Sequence, residues 1–358
     1  MRYLGVIFLL LVNGLSSQYA PWIREAKYYK KLDDNYVQCL LCPRKCMLPP
    51  GATGFCRNRK NIDGKLYTLV YGRLCAVNID IIEKAPFYHV LPGSKRLACA
   101  AVSCNLRCKY CQNWHISQVG PGEVPEYYIP PEELVKIAKK YGLKIICFTY
   151  TEPTVCYEYM LDVFKIAKKE GLITTIVSNG YINPEPLKEL LKYTDAIKID
   201  LKGFTEDFYR EVSMGDLKSV LRTLKIIKKS GVWLEIVNLV VPTLNDNQED
   251  IRRMCEWIRD SLGPDVPVHF TRFHPDYKLT NLPATPIKTL ERAVKIAKEA
   301  GLHYVYIGNV PGHPYNNTYC PYCGKLLIRR VGLTVLENHI KDGKCPYCGH
   351  KIPGLWSF

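Results

Sequence analysis

The chain has 358 residues, 47% of them hydrophobic and 23% charged, with 49 Lys and Arg against 34 Asp and Glu for a formal net charge of +15. Length and a mean hydropathy of −0.11 leave room for a sizeable core and exclude both a multi-span membrane protein and a disordered chain. The charge and the 16 cysteines are the two unusual features.

At the start, Met1 and Arg2 precede an apolar run, 3–12, and a polar, small-residue stretch, 13–20. That is the layout of a secretory signal, and the run is too short for an ordinary spanning helix. A processed or anchoring segment, an upstream start and a local core element remain open for 1–20. Export conflicts with the metal chemistry inferred below, so a cytoplasmic protein is expected.

Residues 21–95 form a cysteine-rich region with Cys39, Cys42, Cys46 and Cys56, where Pro49, Pro50, Gly51 and Gly54 bend the chain between the last two thiols. One four-ligand site is feasible there. Spacing alone does not separate zinc from an auxiliary iron–sulfur cluster.

From 96 to 310 one phrase recurs: an amphipathic helix ending in lysines, a glycine, then an apolar run, as at Lys139-Lys140-Tyr141-Gly142 and Lys228-Lys229-Ser230-Gly231. Glycine supplies a left-handed helix stop and lysine complements the helix dipole. Near-continuous apolar runs at 97–103, 144–150, 173–178, 196–201, 233–241, 266–273 and 304–307 read as strands buried on both faces. Helices are predicted over 131–141, 155–170, 216–230, 248–262 and 286–300. The alternation predicts an α/β fold, a partial or full parallel (β/α) barrel, with chemistry at the C-terminal strand ends. Reactive residues do fall there: Cys104, Cys108 and Cys111 after the first strand, Glu152 after the second, Ser178 and Asn179 at the third, Asp200 and Lys202 at the fourth, Arg272 and His274 at the sixth.

The tail, 311–358, carries Cys320-Pro-Tyr-Cys323-Gly324 and Cys345-Pro-Tyr-Cys348-Gly349. Two such knuckles predict a zinc ribbon, with rubredoxin-type iron as the competing occupant. Cys75, Cys99, Cys147, Cys156 and Cys255 lie in apolar stretches and read as small buried hydrophobes.

Cys104, Cys108 and Cys111 supply three thiolates, one short of the set that fully ligates a cubane cluster, so one iron would stay open. A zinc site completed by a distant ligand such as His115 is the alternative. The motif, with Tyr110 before its third cysteine and a barrel strand before its first, resembles the radical S-adenosylmethionine superfamily over about residues 97–310. Ser103-Cys-Asn-Leu-Arg-Cys-Lys-Tyr-Cys-Gln-Asn-Trp114, Tyr-Thr-Glu-Pro-Thr, Ser-Asn-Gly and Asp-Leu-Lys are similar to the pyruvate formate-lyase activating enzyme branch. The N-terminal cysteine block and Ile82-Glu-Lys-Ala-Pro-Phe-Tyr-His89 resemble the AmmeMemoRadiSam-system enzymes.

The resemblance implies a [4Fe–4S] cluster on Cys104, Cys108 and Cys111 that cleaves S-adenosylmethionine to a 5′-deoxyadenosyl radical, which abstracts hydrogen from an unidentified substrate. By position, Glu152 receives the cofactor's amino group at a Gly-Gly-Glu site whose glycines are here Tyr150 and Thr151. Ser178 and Asn179 bond its polar edges, Asp200 and Lys202 orient its ribose and carboxylate, and His274 or Arg272 completes the pocket. Plainer roles stand beside these: a helix-start anion, turn chemistry, an inert ion pair and a solvated cation. A glycyl-radical-enzyme activase is the nearest alternative function.

An electron donor is required, and a basic protein attracts an acidic one such as flavodoxin or ferredoxin. The subfamily name adds Memo-like and AMME-region-like proteins as partners. A metal-stabilised nucleic-acid-binding protein is the alternative of another class, although the charge is spread along the crossover helices rather than gathered in one stripe.

Overall fold

The computed structural model describes residues 19–357; the signal-like run 3–12 lies outside them. Eight strands form the central sheet: β1 (Ala76–Ile81), β2 (Lys95–Ala100), β3 (Ile145–Phe148), β4 (Ile173–Ser178), β5 (Ala196–Asp200), β6 (Trp233–Val240), β7 (Val268–Arg272) and β8 (Val305–Gly308). Their spatial order is their chain order. From β2 to β8 every pair is parallel, while β1 runs antiparallel on the outer edge of β2. The sheet begins at β1 and ends at β8, so the barrel is partial. The alternation of Val77, Ile79 and Ile81 with Asn78 and Asp80 in β1 is an edge-strand pattern. It falls outside the thirty-residue βα rhythm that places the other seven strands, which is why the sequence reading groups it with the N-terminal region.

Six helices cross between parallel strands: α1 (Pro131–Lys140), α2 (Tyr157–Lys169), α3 (Pro184–Leu191), α4 (Leu217–Ser230), α5 (Gln248–Leu262) and α6 (Ile287–Glu299). The lysine-glycine stops behave as read: Gly142, Gly171, Gly231 and Gly301 have φ of 65°, 70°, 83° and 92°. Side-chain caps fix two starts, with Asp216 accepting from Ser219 N at 2.7 Å and Asn247 from Glu249 N at 2.9 Å. Helix α3 is absent from the sequence reading because Pro184 and Pro186 resemble a loop. Proline is tolerated in a first helical turn, and burial of Leu187, Leu190 and Leu191 holds this one down.

Beside the half-barrel, two small antiparallel sheets carry the N-terminal cysteines. One contains Tyr29–Lys31, Val37–Cys39 and Met47–Leu48; the other contains Arg24–Glu25, Arg59–Ile62 and Lys65–Thr68. A third, β9 (Thr318–Tyr319), β10 (Leu326–Val331) and β11 (Thr334–Asn338), carries the tail. The tail shares its core with the barrel: Tyr88, Tyr304 and Tyr306 pack with Cys320, Leu327, Ile328, Cys345 and Ile352. The run ending in Tyr88 and His89 is the joint. Its backbone N–H groups at Tyr88 and His89 donate to the buried Glu235 carboxylate at 3.0 and 2.9 Å, and Arg330 Nη2 donates to Tyr88 O at 2.8 Å. Cys99, Cys156 and Cys255 are buried among apolar neighbours and Cys75 is half-buried, whereas Cys147, also buried, accepts from Arg96 Nη1 at 2.5 Å and so faces a charge, against the expectation of a small hydrophobe. No helix among the described residues is long and apolar enough to cross a membrane.

Candidate active site and metal centres

Because β2 to β8 are parallel, the residues that follow them collect at one edge of the sheet. After β2 the chain turns through Ser103, whose φ of 80° is left-handed, and enters the cysteine loop. Arg107 N donates to Ser213 O and Lys109 N to Val212 O, both at 3.0 Å, which stitches the loop to the turn Tyr209–Ser213. Leu106 and Tyr110 are buried beneath it. Burial, the Glu152 charge and Cys108 push the Cys104 thiol well above its ordinary range. A metal must therefore displace its proton on binding.

Glu152 is buried at the centre of a hydrogen-bond network. Its Oε1 accepts from Thr154 N at 3.0 Å, Thr154 Oγ1 at 2.7 Å and Ser178 Oγ at 2.8 Å, and its Oε2 accepts from Asn179 N at 2.8 Å. Burial raises its pKa despite these donors. Asn179 Nδ2 in turn donates to Asn105 Oδ1 at 2.9 Å and lies 3.5 Å from Cys104 Sγ. Glu152, Ser178, Asn179 and Cys104 are thus one connected group. Oε2 accepts a single bond and keeps acceptor capacity that Oε1 has used. The glycine that the resemblance lacks is replaced in conformation too: Tyr150 adopts φ 65°. A left-handed residue with a side chain costs about 1–2 kcal/mol. Asn113 Nδ2 donates to Tyr150 O at 2.8 Å, and the Tyr150 hydroxyl donates to Asp80.

At the end of β5, Asp200 lies between two lysines. Lys198 bonds one carboxylate oxygen, and Lys202 Nζ stands 3.3 Å from the other. Burial would raise the Asp200 pKa, but the two ammonium groups outweigh it and hold it down. Burial works against the Lys202 charge too, and Asp200 and Cys108 overcome it, so Lys202 stays protonated beside the cysteine loop. His274 is exposed, with Nδ1 3.2 Å from Gln112 Nε2 on the same loop, and Arg272 Nε donates to Thr285 O at 2.9 Å. His115 is exposed beside Trp114.

Sequence reasoning passed over Asn105, Asn113 and Lys198. The signal for Lys198 was present: a lysine inside the apolar strand Ala196–Asp200 has an even spacing to Asp200 and so shares its face. The two asparagines carry no signal, since their partners are remote in sequence.

The cysteine clusters differ in spacing. Cys320, Cys323, Cys345 and Cys348 have Sγ atoms within 4.8 Å of one another, and among the described residues no other group of three or more His, Cys, Asp or Glu ligand atoms does. Cys320 to Cys348 and Cys323 to Cys345 are both 3.7 Å. Tetrahedral thiolates at a zinc–sulfur bond of about 2.3 Å stand about 3.8 Å apart, so the tail set fits one ion. Thiolates on separate irons of a cubane stand further apart, and the three sulfurs of Cys104, Cys108 and Cys111, all on one loop, are not gathered within 4.8 Å. Because the tail core contains Tyr304 and Tyr306, chelation of its metal is expected to remove hydrogen-exchange protection from β8 as well as from β10. Loss confined to residues beyond 311 would contradict the shared core.

Fold and site together present an open βα barrel with three thiols and a buried carboxylate at the edge where its parallel strands end. Residues 101–258 match the model of the radical SAM superfamily. The chain is 49% identical over 332 residues to "Uncharacterized protein MJ0808" of Methanocaldococcus jannaschii, covering 92% of this chain and 99% of that protein. It is 26% identical to the pyruvate formate-lyase-activating enzyme of Clostridium pasteurianum, across 55% of this chain and 87% of the relative. A putative glycyl-radical enzyme activating enzyme, MJ1227 of M. jannaschii, is 25% identical, across 70% of this chain and 98% of the relative. The chain belongs to the radical SAM superfamily, in the branch of the pyruvate formate-lyase-activating enzymes. It is a radical SAM enzyme, and the family works with a [4Fe–4S] cluster, S-adenosylmethionine and a reductant.

Proposed function

We propose that Cys104, Cys108 and Cys111 hold the family's cluster, and that Glu152, Ser178, Asn179, Asp200, Lys202 and His274 form the cofactor pocket around it. The observation that carries this is the network joining Cys104 to Glu152 through Asn179 at the sheet edge where the parallel strands end. A cluster held there would supply one electron to S-adenosylmethionine, and the cofactor would supply the hydrogen-abstracting chemistry toward the substrate. The chain's own contribution is binding and charge. Glu152 Oε2 accepts from the cofactor ammonium, and the protonated Lys202 meets its carboxylate.

An activase acting on a glycyl-radical enzyme is the second reading, favoured by the names of two relatives. The deciding experiment is an anaerobic reaction with deuterated candidate substrates, following deuterium into 5′-deoxyadenosine. Transfer from a peptide glycine selects the activase and transfer from a small metabolite rejects it. Absence of any 5′-deoxyadenosine under reducing conditions would overturn the function itself.

Glu152→Gln preserves shape while removing charge. Loss of a charge-assisted bond of about 1.5–3 kcal/mol weakens cofactor affinity by about 10- to 150-fold. Equilibrium binding of S-adenosylmethionine checks this, and an unchanged dissociation constant would leave Glu152 as the cap of the turn Pro153–Cys156 alone.

The tail ligates zinc in this reading, and its thiol spacing supports a single ion. The net charge of +15 suits an acidic donor of the flavodoxin or ferredoxin kind. All 16 cysteines are free thiols, which suits a reducing cytoplasm. The AmmeMemoRadiSam subfamily, with its Memo-like and AMME-region-like partners, rests on the N-terminal cysteine block and the run ending at His89. The boundaries 21–95, 96–310 and 311–358 are kept as functional regions, with the cofactor chemistry in the second.

A further inference from the structure

A cavity on the far side of the catalytic loop has walls from Cys39, Cys42, Cys46, Cys56 and Arg59, and is closed by Asn105 and Thr154, both members of the Glu152 network. Cys39 ends the strand Val37–Cys39, and its N–H donates to Cys46 O at 3.0 Å, so the intervening hairpin presents Cys39, Cys42 and Cys46 together. Cys56 arrives from the turn before Arg59–Ile62. All four are free thiols.

Two observations say what fits between them. The first is spacing: no three of these sulfurs lie within 4.8 Å of one another, whereas the tail cysteines do. Four thiols that line one cavity without gathering to the span of one tetrahedral ion suit a cubane, where each binds a different iron. The second is Arg59. It is 1% exposed, and its Nη2 bonds both oxygens of Glu158 at 2.8 and 2.7 Å, but Nε and Nη1 are buried without a partner. Two unpaired N–H groups of a buried guanidinium in the wall of a thiol-lined cavity call for an anion. A tetrathiolate cluster and a tetrathiolate zinc are both anionic, so Arg59 accounts for the charge and the spacing selects the cluster.

We propose that Cys39, Cys42, Cys46 and Cys56 hold a second [4Fe–4S] cluster, with Arg59 donating to its sulfurs. With four thiolates it has no open iron, so it cannot anchor a substrate. It is a one-electron carrier, taking one electron from the external donor as its core passes from 2+ to 1+ with no bond made or broken. It is tied directly to the catalytic loop: Ser103 Oγ donates to Cys56 O at 2.5 Å, Arg107 Nη2 to Phe55 O at 2.5 Å, and Arg44 Nε to Asn105 O at 2.7 Å.

The test is anaerobic reconstitution of the full chain with iron and sulfide. The unaltered protein is expected to bind about eight acid-labile sulfides and the triple variant Cys104→Ala, Cys108→Ala, Cys111→Ala about four. The triple variant should give an S = ½ signal on reduction. Sulfide is counted because an iron ion in the tail would add none. Cys42→Ala with Cys46→Ala in an otherwise intact chain should also leave about four. Arg59→Lys keeps the charge but loses the fork, and should move the midpoint potential of the triple variant's cluster to more negative values. About four sulfides in the unaltered protein with none in the triple variant, zinc without sulfide in the triple variant, or a potential unmoved by Arg59→Lys would each overturn the proposal. These readouts require no cofactor cleavage, so they stand apart from the proposed reaction.

Discussion

Changing Cys104, Cys108 and Cys111 together to alanine is expected to reduce 5′-deoxyadenosine formation to the level without enzyme, while the tail keeps its metal. The reasoning starts from the loop. The three sulfurs leave a strand end within eight positions on a loop held by the bonds of Arg107 and Lys109 to the turn Tyr209–Ser213, and Cys104 adjoins Glu152 through Asn179. Alanine removes each ligand but leaves the backbone bonds that shape the loop, so the barrel should remain folded. Cys320, Cys323, Cys345 and Cys348 form a separate closed set with its own spacing. Product formation measured beside zinc content and circular dichroism checks the expectation. Residual turnover close to that of the unaltered enzyme would remove these cysteines from the chemistry.

The second large effect concerns a buried ion pair. Glu158, in the first turn of α2, binds Arg59 through both carboxylate oxygens and also accepts Lys27 N at 3.0 Å, tying the N-terminal sheets to the barrel. Arg59 and Glu158 side chains are 1% and 7% exposed. Removing one partner leaves an uncompensated charge without water, which costs about 3–5 kcal/mol. Glu158→Ala is therefore expected to lower the melting temperature by about 4–7 °C in a chain of 358 residues. Replacing both residues with apolar ones of similar volume, Arg59→Met with Glu158→Leu, should restore much of that loss, because the cost is desolvation rather than absence of a contact. A thermal scan under anaerobic conditions decides it. If Glu158→Ala melts with the unaltered protein, water reaches the pair and it is a surface contact.

Much of the site was legible in order along the chain. Thirty-residue periodicity placed seven parallel strands, and the rule that chemistry collects at their C-terminal ends brought Cys104, Glu152, Ser178 and Asp200 to one edge. Lys198 was missed because an isolated lysine in an apolar strand looks like an interruption; only the pairing of β5 with both neighbours reveals a buried charge held by Asp200. The enzymatic reading prevailed over nucleic-acid binding for the same reason, since metal ligands at strand ends specify chemistry and a diffuse positive charge does not.

What the sequence by itself determined was what local rules govern: helix stops at lysine and glycine, buried strands, and thiols clustered by short spacing, each set by interactions within a few residues. Tertiary structure decided what depends on distance between remote segments. It left the barrel open, made the run ending at His89 a joint between barrel and tail, and gathered the tail cysteine quartet within 4.8 Å but not the N-terminal one. Spacing along the chain counts bonds, but metal choice depends on how far apart the sulfurs stand, and only packing fixes that separation.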